Sequence, residues 1–166
     1  MYAHNHMTTV SVPAPAERAF AFVDDHSRLS SHMSGRSWMM GGGRMSLEMD
    51  AGLGKVIGSR LRLRGKAFGI SLSLDEVVTE RVPPVRKVWE TIGEPRLLVI
   101  GPYRMGVQIA DRGASSDLRV FIDYDLPARA PWRQMGRLFG RRYASWCTTR
   151  MANDTLRHFA GPKRRK

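Results

Sequence analysis

The feature that most constrains the fold is a two-residue period of apolar side chains that runs between residues 59 and 124. Leu61 and Leu63 alternate with arginines, and several later segments repeat the pattern with serine, arginine or acidic residues between the apolar ones. Such alternation is typical of antiparallel strands with one buried and one exposed face. Turn signals at Pro83-Pro84 and at residues 111–113 separate these strands. The sequence therefore predicts about six antiparallel strands.

A helical period replaces the strand pattern near the C-terminus. Residues 131–159 predict one long helix, which Gly161-Pro162 ends. Its large apolar residues recur at helical spacing and form a stripe that we expect to face the sheet: Trp132, Met135, Phe139, Tyr143 and Trp146. Gly136 and Gly140 each weaken this helix by about 1 kcal/mol relative to alanine.

The N-terminal part adds one strand and two short helices. Residues 7–13 alternate like a strand, and Pro15 suits the first turn of a helix. Asp25 is a candidate N-cap for a second short helix that ends at His32. An antiparallel sheet with its helices gathered on one face is an α+β architecture.

Length, charge and cysteine content limit the classes of protein. The 166 residues suit one domain, with residues 161–166 as a basic tail. No apolar run is long enough to span a membrane, and the N-terminus lacks the features of a signal peptide. A single cysteine, Cys147, excludes an internal disulfide and favours the reducing cytoplasm. The formal net charge of +12 favours an anionic partner, although arginine-rich composition alone also explains it.

The order of elements resembles the START-related superfamily, the group of polyketide cyclases, dehydrases and lipid-transport proteins. The segments that carry the resemblance are VSVPAPAERAFAFVDD, LDEVVTERVPPVRKVWE and the helix from Pro131, so it extends over nearly the whole chain. It implies a helix-grip fold, in which a curved antiparallel sheet wraps around a long C-terminal helix, with two short helices after the first strand. It also implies a deep apolar cavity between the sheet and the helix. Residues 34–55, rich in glycine and methionine, depart from the regular pattern of the family.

A curved sheet cannot lie flush on a straight helix, so large apolar residues that face inward are the candidates for a ligand site. Aromatic walls with tyrosine hydroxyls suit a flat hydrophobic ligand, although the same side chains also suit a filled core. We add Arg142 as a group that can reach a ligand carboxylate or phosphate. The candidate ligand-binding residues are Leu63, Trp89, Tyr103, Met105, Ile122, Tyr124, Phe139, Arg142, Tyr143 and Trp146.

Motifs for other chemistries are missing from the sequence. The histidines form no HExxH pattern, one cysteine cannot build a zinc site, and Gly54-Lys55 lacks the remaining residues of a phosphate-binding loop. We therefore predict no metal and no cofactor. Glu90 and Asp123 alternate with the apolar set and are expected to face solvent, which leaves His32 and Tyr143 as the groups that could move a proton.

Three functions remain open. The first is a cytoplasmic protein that binds or transports a hydrophobic small molecule, such as a lipid, a quinone or a polyketide-like compound. The second is a cyclase or dehydratase that acts on an aromatic or polyketide substrate. The third is a basic protein that docks on RNA, the ribosome or an anionic membrane through one of two arginine-rich faces: Arg60, Arg62, Arg64 and Lys66 on a strand, and Arg133, Arg137 and Arg141 on the helix.

Overall fold

The computed structural model describes residues 1–29 and 44–161. Within these ranges seven strands form one curved antiparallel sheet, in the spatial order β1-β7-β6-β5-β4-β3-β2. The strands are His4–Val12 (β1), Arg44–Met49 (β2), Arg60–Ala67 (β3), Ile70–Val82 (β4), Arg86–Arg96 (β5), Tyr103–Asp111 (β6) and Ser116–Tyr124 (β7). The helices are Ala16–Val23 (α1), His26–Leu29 (α2) and Trp132–Ala160 (α3).

The sheet is a meander from β2 to β7, and β1 closes it by pairing with β7. Strand β7 shows why the period of two predicts it: Leu118, Val120, Ile122 and Tyr124 are all buried on one face. The predicted α+β class and helix-grip architecture are confirmed. The observed strands are longer than predicted at β1, which begins at His4, and at β5, which continues to Arg96.

Helix α3 contacts the sheet with a different face from the predicted one. Its buried residues are mostly small: Gly136, Gly140, Ala144, Cys147, Thr148, Met151, Ala152 and Thr155. In contrast, Met135 and Phe139 of the predicted stripe are 37% and 41% exposed. The prediction that Phe139 faces the sheet is therefore wrong, because the helix approaches its neighbours too closely for a large side chain on its inner face.

The glycines of α3 permit this close approach. A Cβ atom at Gly136 would lie 2.8 Å from the carbonyl oxygen of Val99, and one at Gly140 would lie 3.2 Å from the same oxygen. The two glycines lower the intrinsic stability of the helix but allow it to pack against residues 97–100, which connect β5 to β6. Farther along, Thr148 fixes the helix to β1 through hydrogen bonds with His6 (3.0 Å) and Thr8 (2.8 Å).

This docking is asymmetric. Helix α3 packs chiefly on β1 and β7, at one side of the sheet. The inner face of β4 and β5 lies farther across the sheet, and side chains from these strands and from the helix line a common cavity.

A buried ion cluster holds the junction of α1 and α2 on the sheet. Lys87 of β5 is fully buried, and its Nζ lies 3.2 Å from Asp24 Oδ1 and donates a hydrogen bond of 2.8 Å to the Asp24 carbonyl oxygen. Arg81 of β4 donates two hydrogen bonds to the same carboxylate, at 3.0 and 2.8 Å. Burial alone would raise the pKa of Asp24, but the hydrogen bonds from Arg81 and the charge of Lys87 outweigh it and lower the pKa.

We expect this cluster to make stability depend on pH. A carboxyl group whose pKa is lowered in the folded state stabilises the fold above its unfolded pKa of about 4, and that stabilisation is lost as the pH falls through the folded pKa. Asp24→Asn should therefore lower the free energy of unfolding by about 3–5 kcal/mol at pH 7, since it leaves the buried Lys87 without its counterion. The difference from the wild type should shrink as the pH falls below about 4.

Urea unfolding at a series of pH values measures this difference. Asp123→Asn is the matched control, because Asp123 alternates with the buried residues of β7 and lies outside the cluster. A destabilisation of Asp24→Asn that stayed constant down to pH 2–3 would contradict the assignment.

Candidate functional site

A small cavity lies between the inner face of strands β4 to β7 and the middle of α3. Its volume is about 30 Å³, enough for one or two water molecules. Most of its wall is apolar, with Trp89, Met105 and Ile122 from the sheet and Cys147 and Met151 from the helix. Three polar side chains break this apolar lining at one end: His26, Glu76 and Tyr103.

These three side chains form a buried polar cluster, here called the His26–Glu76–Tyr103 cluster. Their exposed fractions are 2%, 1% and 5%. The Tyr103 hydroxyl donates a short hydrogen bond to Oε1 of Glu76. On the other side of the carboxyl group, His26 Nε2 lies 3.5 Å from Glu76 Oε2, which is too long for a good hydrogen bond.

Two atoms of the cluster have no hydrogen-bond partner within the described ranges: Oε2 of Glu76 and Nδ1 of His26. A buried polar atom without a partner typically costs about 1–3 kcal/mol, so folded proteins rarely keep one without a reason. Because both residues line the cavity, a bound molecule can supply the missing hydrogen bonds.

The sequence positions each member of the cluster. Glu76 takes the inward position in β4 after Leu72 and Leu74 and before Val78, all of which are buried. His26 begins α2, where Asp25 Oδ1 accepts a hydrogen bond of 3.1 Å from the backbone N–H of Ser27 and so starts the helical turn.

The ring of His26 is held from two sides. Trp89 contacts it edge-on, with the ring centroids 4.9 Å apart. On the other side Gly54, with a φ of +70°, lies so close that an added Cβ would be 3.1 Å from Cβ of His26. The orientation of the imidazole is therefore fixed by packing.

The hydroxyl and thiol groups around the cavity stay protonated. Burial, followed by the negative charge of Glu76, raises the pKa of Tyr103 well above its usual value. Burial also raises the pKa of Tyr143, and it raises the pKa of Cys147 to about 12. Tyr103 and Tyr143 are therefore hydrogen-bond donors at neutral pH, and Cys147 is a neutral thiol rather than a nucleophile.

A larger crevice of about 370 Å³ opens beside the cavity. It lies between the β3–β4 turn, residues 97–100 and the first half of α3, and its lining is predominantly apolar. Leu97, Ile100 and Tyr143 line both spaces, so these three side chains form the partition between the crevice and the cavity. Phe68, at the tip of the β3–β4 turn, lines the crevice and is 75% exposed.

Solved structures share this architecture. Norcoclaurine synthase from Thalictrum flavum aligns over 96% of this chain and 95% of its own, with a TM-score of 0.67 and 13% identity. The Zhui aromatase/cyclase from Streptomyces sp. R1128 aligns over 92% of this chain and 93% of its own, with a TM-score of 0.61 and 12% identity. No protein-family model matches the sequence, and no curated protein matches it.

The chain has the helix-grip fold, which these solved structures share. At 11–16% identity the likeness establishes the fold and leaves the chemistry to the residues of this chain.

Five of the predicted ligand-binding residues line the inner cavity of this helix-grip fold: Trp89, Tyr103, Met105, Ile122 and Tyr143. The period of two places the first four correctly on the inner face of the sheet. Tyr143 lies at the border of the buried face of α3 and is half-buried. Whether these residues bind a ligand stays a prediction.

The other five predicted residues lie elsewhere. Leu63 and Tyr124 are buried in the apolar core, and Trp146 is half-buried against it. Phe139 and Arg142 are exposed, since the small-residue face of α3 turns both side chains away from the sheet. None of the five is among the residues that line the cavity or the crevice in the described parts of the chain.

The sequence analysis missed Glu76 and His26. The sequence does contain a signal for Glu76. That residue continues the inward series of Leu72 and Leu74, and a carboxyl group is unusual at a buried position of a strand. His26 gave no comparable signal, since its burial depends on the β2–β3 loop and on Trp89. The predicted proton-transfer residue His32 lies outside the described residues, as do residues 162–166 of the predicted basic tail.

The two predicted basic faces differ in the structure. On β3, Arg62 and Arg64 lie 3.4 and 2.8 Å from Asp75, so that face is partly neutralised. On α3, Arg133, Arg137 and Arg141 are exposed, and in the described part of the chain no acidic side chain pairs with them.

Among the described residues, no helix has both the length and the apolar content that a membrane span requires. Nor do these residues contain a group of three or more histidine, cysteine, aspartate or glutamate side chains that is arranged to hold a metal ion.

Removing the Tyr103 hydroxyl tests the polar cluster. Tyr103→Phe should lower the free energy of unfolding by about 1–3 kcal/mol, since it leaves both carboxylate oxygens of Glu76 buried without a partner. Urea unfolding at pH 7 gives the value. Tyr124→Phe is the matched control, because Tyr124 pairs with Tyr103 across the sheet and its loss leaves the contact to Glu76 intact. Equal destabilisation by the two variants would contradict the assigned hydrogen bond.

Proposed function

We propose that this protein binds a hydrophobic small molecule in the crevice between the sheet and α3, with one polar group of the ligand reaching the His26–Glu76–Tyr103 cluster. The observation that carries the proposal is the adjacency of the two spaces. An apolar crevice of about 370 Å³ shares three side chains with a cavity that holds an unpartnered carboxylate oxygen.

The volume of the crevice suits the binding of a small molecule. Small-molecule sites typically enclose about 300–1,000 Å³ and combine apolar walls with a few placed polar groups. The inner cavity alone is too small for such a ligand. The ligand therefore occupies the crevice, and its polar end enters the cavity when the partition formed by Leu97, Ile100 and Tyr143 shifts. Apolar burial then supplies most of the affinity, at about 25 cal/mol per Å².

A compact, flat ligand with one polar end fits this description better than a long acyl chain. The solved norcoclaurine synthase in complex with dopamine and hydroxybenzaldehyde is a structural neighbour, with a TM-score of 0.63, and both of those compounds are small aromatics. A polyketide-like or quinone-like compound shares this shape. We place the protein in the cytoplasm as one START-like domain over residues 1–166, and its free, buried Cys147 accords with a reducing compartment.

Binding of an uncharged fluorescent probe, N-phenyl-1-naphthylamine, tests the proposal. We expect saturable binding that Tyr143→Ala weakens about tenfold, or about 1.4 kcal/mol, because the variant removes an aromatic wall shared by both spaces. Leu138→Ala is the matched control, since Leu138 is 71% exposed on the same helix and lies outside the crevice lining.

Three results decide the matter. Weaker binding by Tyr143→Ala alone supports the assigned site. Equal affinity in both variants and the wild type would contradict the site, and absence of saturable binding would contradict the function. Native mass spectrometry of the freshly purified protein, which detects a co-purified molecule, gives an independent measurement.

We also propose that α3 docks on an anionic membrane. Beside the crevice the helix exposes Leu138 (71%) and Phe139 (41%) next to Arg137 and Arg141, which form no ion pair with the described residues. Exposed apolar side chains flanked by arginines suit the boundary between lipid headgroups and acyl chains. RNA is the less favoured partner, because the exposed faces interleave few aromatic side chains with the arginines.

Vesicle sedimentation tests this second proposal. Binding to phosphatidylcholine vesicles that contain phosphatidylglycerol should exceed binding to pure phosphatidylcholine. The double substitution Arg137→Gln with Arg141→Gln should lower it at least tenfold, at about 1 kcal/mol for each charge. Arg60→Gln with Arg62→Gln is the charge-matched control on β3. Equal losses in the two double variants, or binding to single-stranded RNA without binding to vesicles, would contradict the proposal.

A further inference from the structure

The His26–Glu76–Tyr103 cluster has features that ligand binding alone does not require. A single neutral polar group would orient an apolar ligand. Instead the cavity holds a carboxyl group and an imidazole, with 3.5 Å between Glu76 Oε2 and His26 Nε2, and both residues are at least nine-tenths buried. Each keeps one polar atom without a partner in the described part of the chain.

The hydrogen bond from Tyr103 restricts the orientation of the Glu76 carboxyl group. The Tyr103 hydroxyl engages Oε1 of Glu76, so the carboxylate cannot turn freely about its last bond, and Oε2 stays directed away from Tyr103. Oε2 therefore offers a lone pair in a mostly apolar space. An oxygen in that position can accept a proton from a ligand group that reaches it.

The imidazole is a suitable partner for this carboxylate. Its Nε2 faces Glu76, and a proton on Nδ1 can be donated in a hydrogen bond to a ligand because Nδ1 has no partner in the described residues. Trp89 and Gly54 hold the ring in place, so little reorganisation precedes such a donation.

We propose that Glu76 is a general base that removes a proton from the carbon beside a carbonyl group of the bound ligand, and that His26 stabilises the resulting enolate oxygen. The substrate class is an apolar ketone that can enolise. This inference rests on the proposed function, since the ligand must first enter the crevice, and it assigns the reactive end of that same site.

The step balances without a cofactor. The C–H bond of the ligand breaks, its proton forms an O–H bond with Glu76 Oε2, and its electron pair becomes the second bond between the two carbons. The carbonyl π electrons move to oxygen, where Nδ1–H of His26 donates a hydrogen bond. In the reverse step Glu76 returns a proton to the carbon. If the proton on Glu76 has first exchanged with deuterium from the solvent, the ligand carries a deuterium label.

Tyr103 is a positioning residue in this scheme, because it acts on the ligand only through Glu76. The Tyr103→Phe variant should lower kcat for the proton transfer about tenfold and leave KM unchanged, since it frees the carboxylate without altering the apolar walls. A residue with a merely structural role would not separate the two constants in this way.

The experiment measures deuterium incorporation into 2-tetralone, a flat apolar ketone with acidic C–H bonds beside the carbonyl. Proton NMR in D₂O gives the exchange rate with and without protein, and displacement of N-phenyl-1-naphthylamine gives the binding of 2-tetralone separately. The wild type should accelerate exchange above the buffer rate. Glu76→Gln should lower that acceleration at least 100-fold and retain binding, because the amide keeps the shape of the carboxyl group and cannot accept the proton.

Control measurements distinguish a loss of proton transfer from a loss of folding. Glu80→Gln is the matched variant, because it makes the same change on the same strand, where Glu80 pairs with Arg86 at 2.9 Å. Circular dichroism and the thermal midpoint report whether each variant is folded. Should Glu76→Gln not fold, Glu76→Asp takes its place, since it keeps the charge but withdraws the carboxylate by one methylene and should lower kcat with KM unchanged.

The outcomes distinguish the two proposals. Accelerated exchange that depends on Glu76 supports the inference. Binding of 2-tetralone without acceleration, or equal acceleration by a folded Glu76 variant, would overturn the inference and leave the proposed function standing. If 2-tetralone and the fluorescent probe both fail to bind the wild type, the proposed function and the inference fall together.

Discussion

The close approach of α3 to its neighbours is the constraint on which the rest of the structure depends. Gly136 and Gly140 let the helix meet the carbonyl oxygen of Val99, and Thr148 fixes the helix to β1 by hydrogen bonds to His6 and Thr8. Because these contacts hold the helix toward β1 and β7, the curvature of the sheet carries the inner face of β4 and β5 away from it. The cavity and the crevice are the result of that geometry.

The same geometry explains why a polar cluster can exist inside an apolar core. Residues at the centre of the sheet face the helix across a gap that side chains must fill, and Glu76 meets Tyr103 from β6 there rather than another apolar residue. The cluster of Asp24, Arg81 and Lys87 holds the start of α2 on the sheet, and thereby places His26 over Glu76. Two buried polar clusters thus lie close together: one holds the backbone at the start of α2, and the other contains two polar atoms that have no partner in the described residues.

Local patterns in the sequence were sufficient to predict the sheet, the long helix and the helix-grip class. They also placed Trp89, Tyr103, Met105 and Ile122 on the inner face, because strand alternation is a short-range rule. The face of α3 was mispredicted at Phe139, since large apolar residues usually mark a buried stripe and here small ones do. His26 was not predictable, because its burial comes from Trp89 and Gly54, which lie far from it along the chain.

The glycine contacts of α3 also limit how the proposed binding site can diversify. No side chain larger than hydrogen fits at position 136 without displacing the Val99 carbonyl, so the spacing between the helix backbone and residues 97–100 is effectively invariant. Changes in ligand size must then arise from the side chains of Leu97, Ile100 and Tyr143. In homologous proteins that keep a glycine at position 136, ligand selectivity would accordingly vary through substitutions at these three positions, while the backbone stays in place.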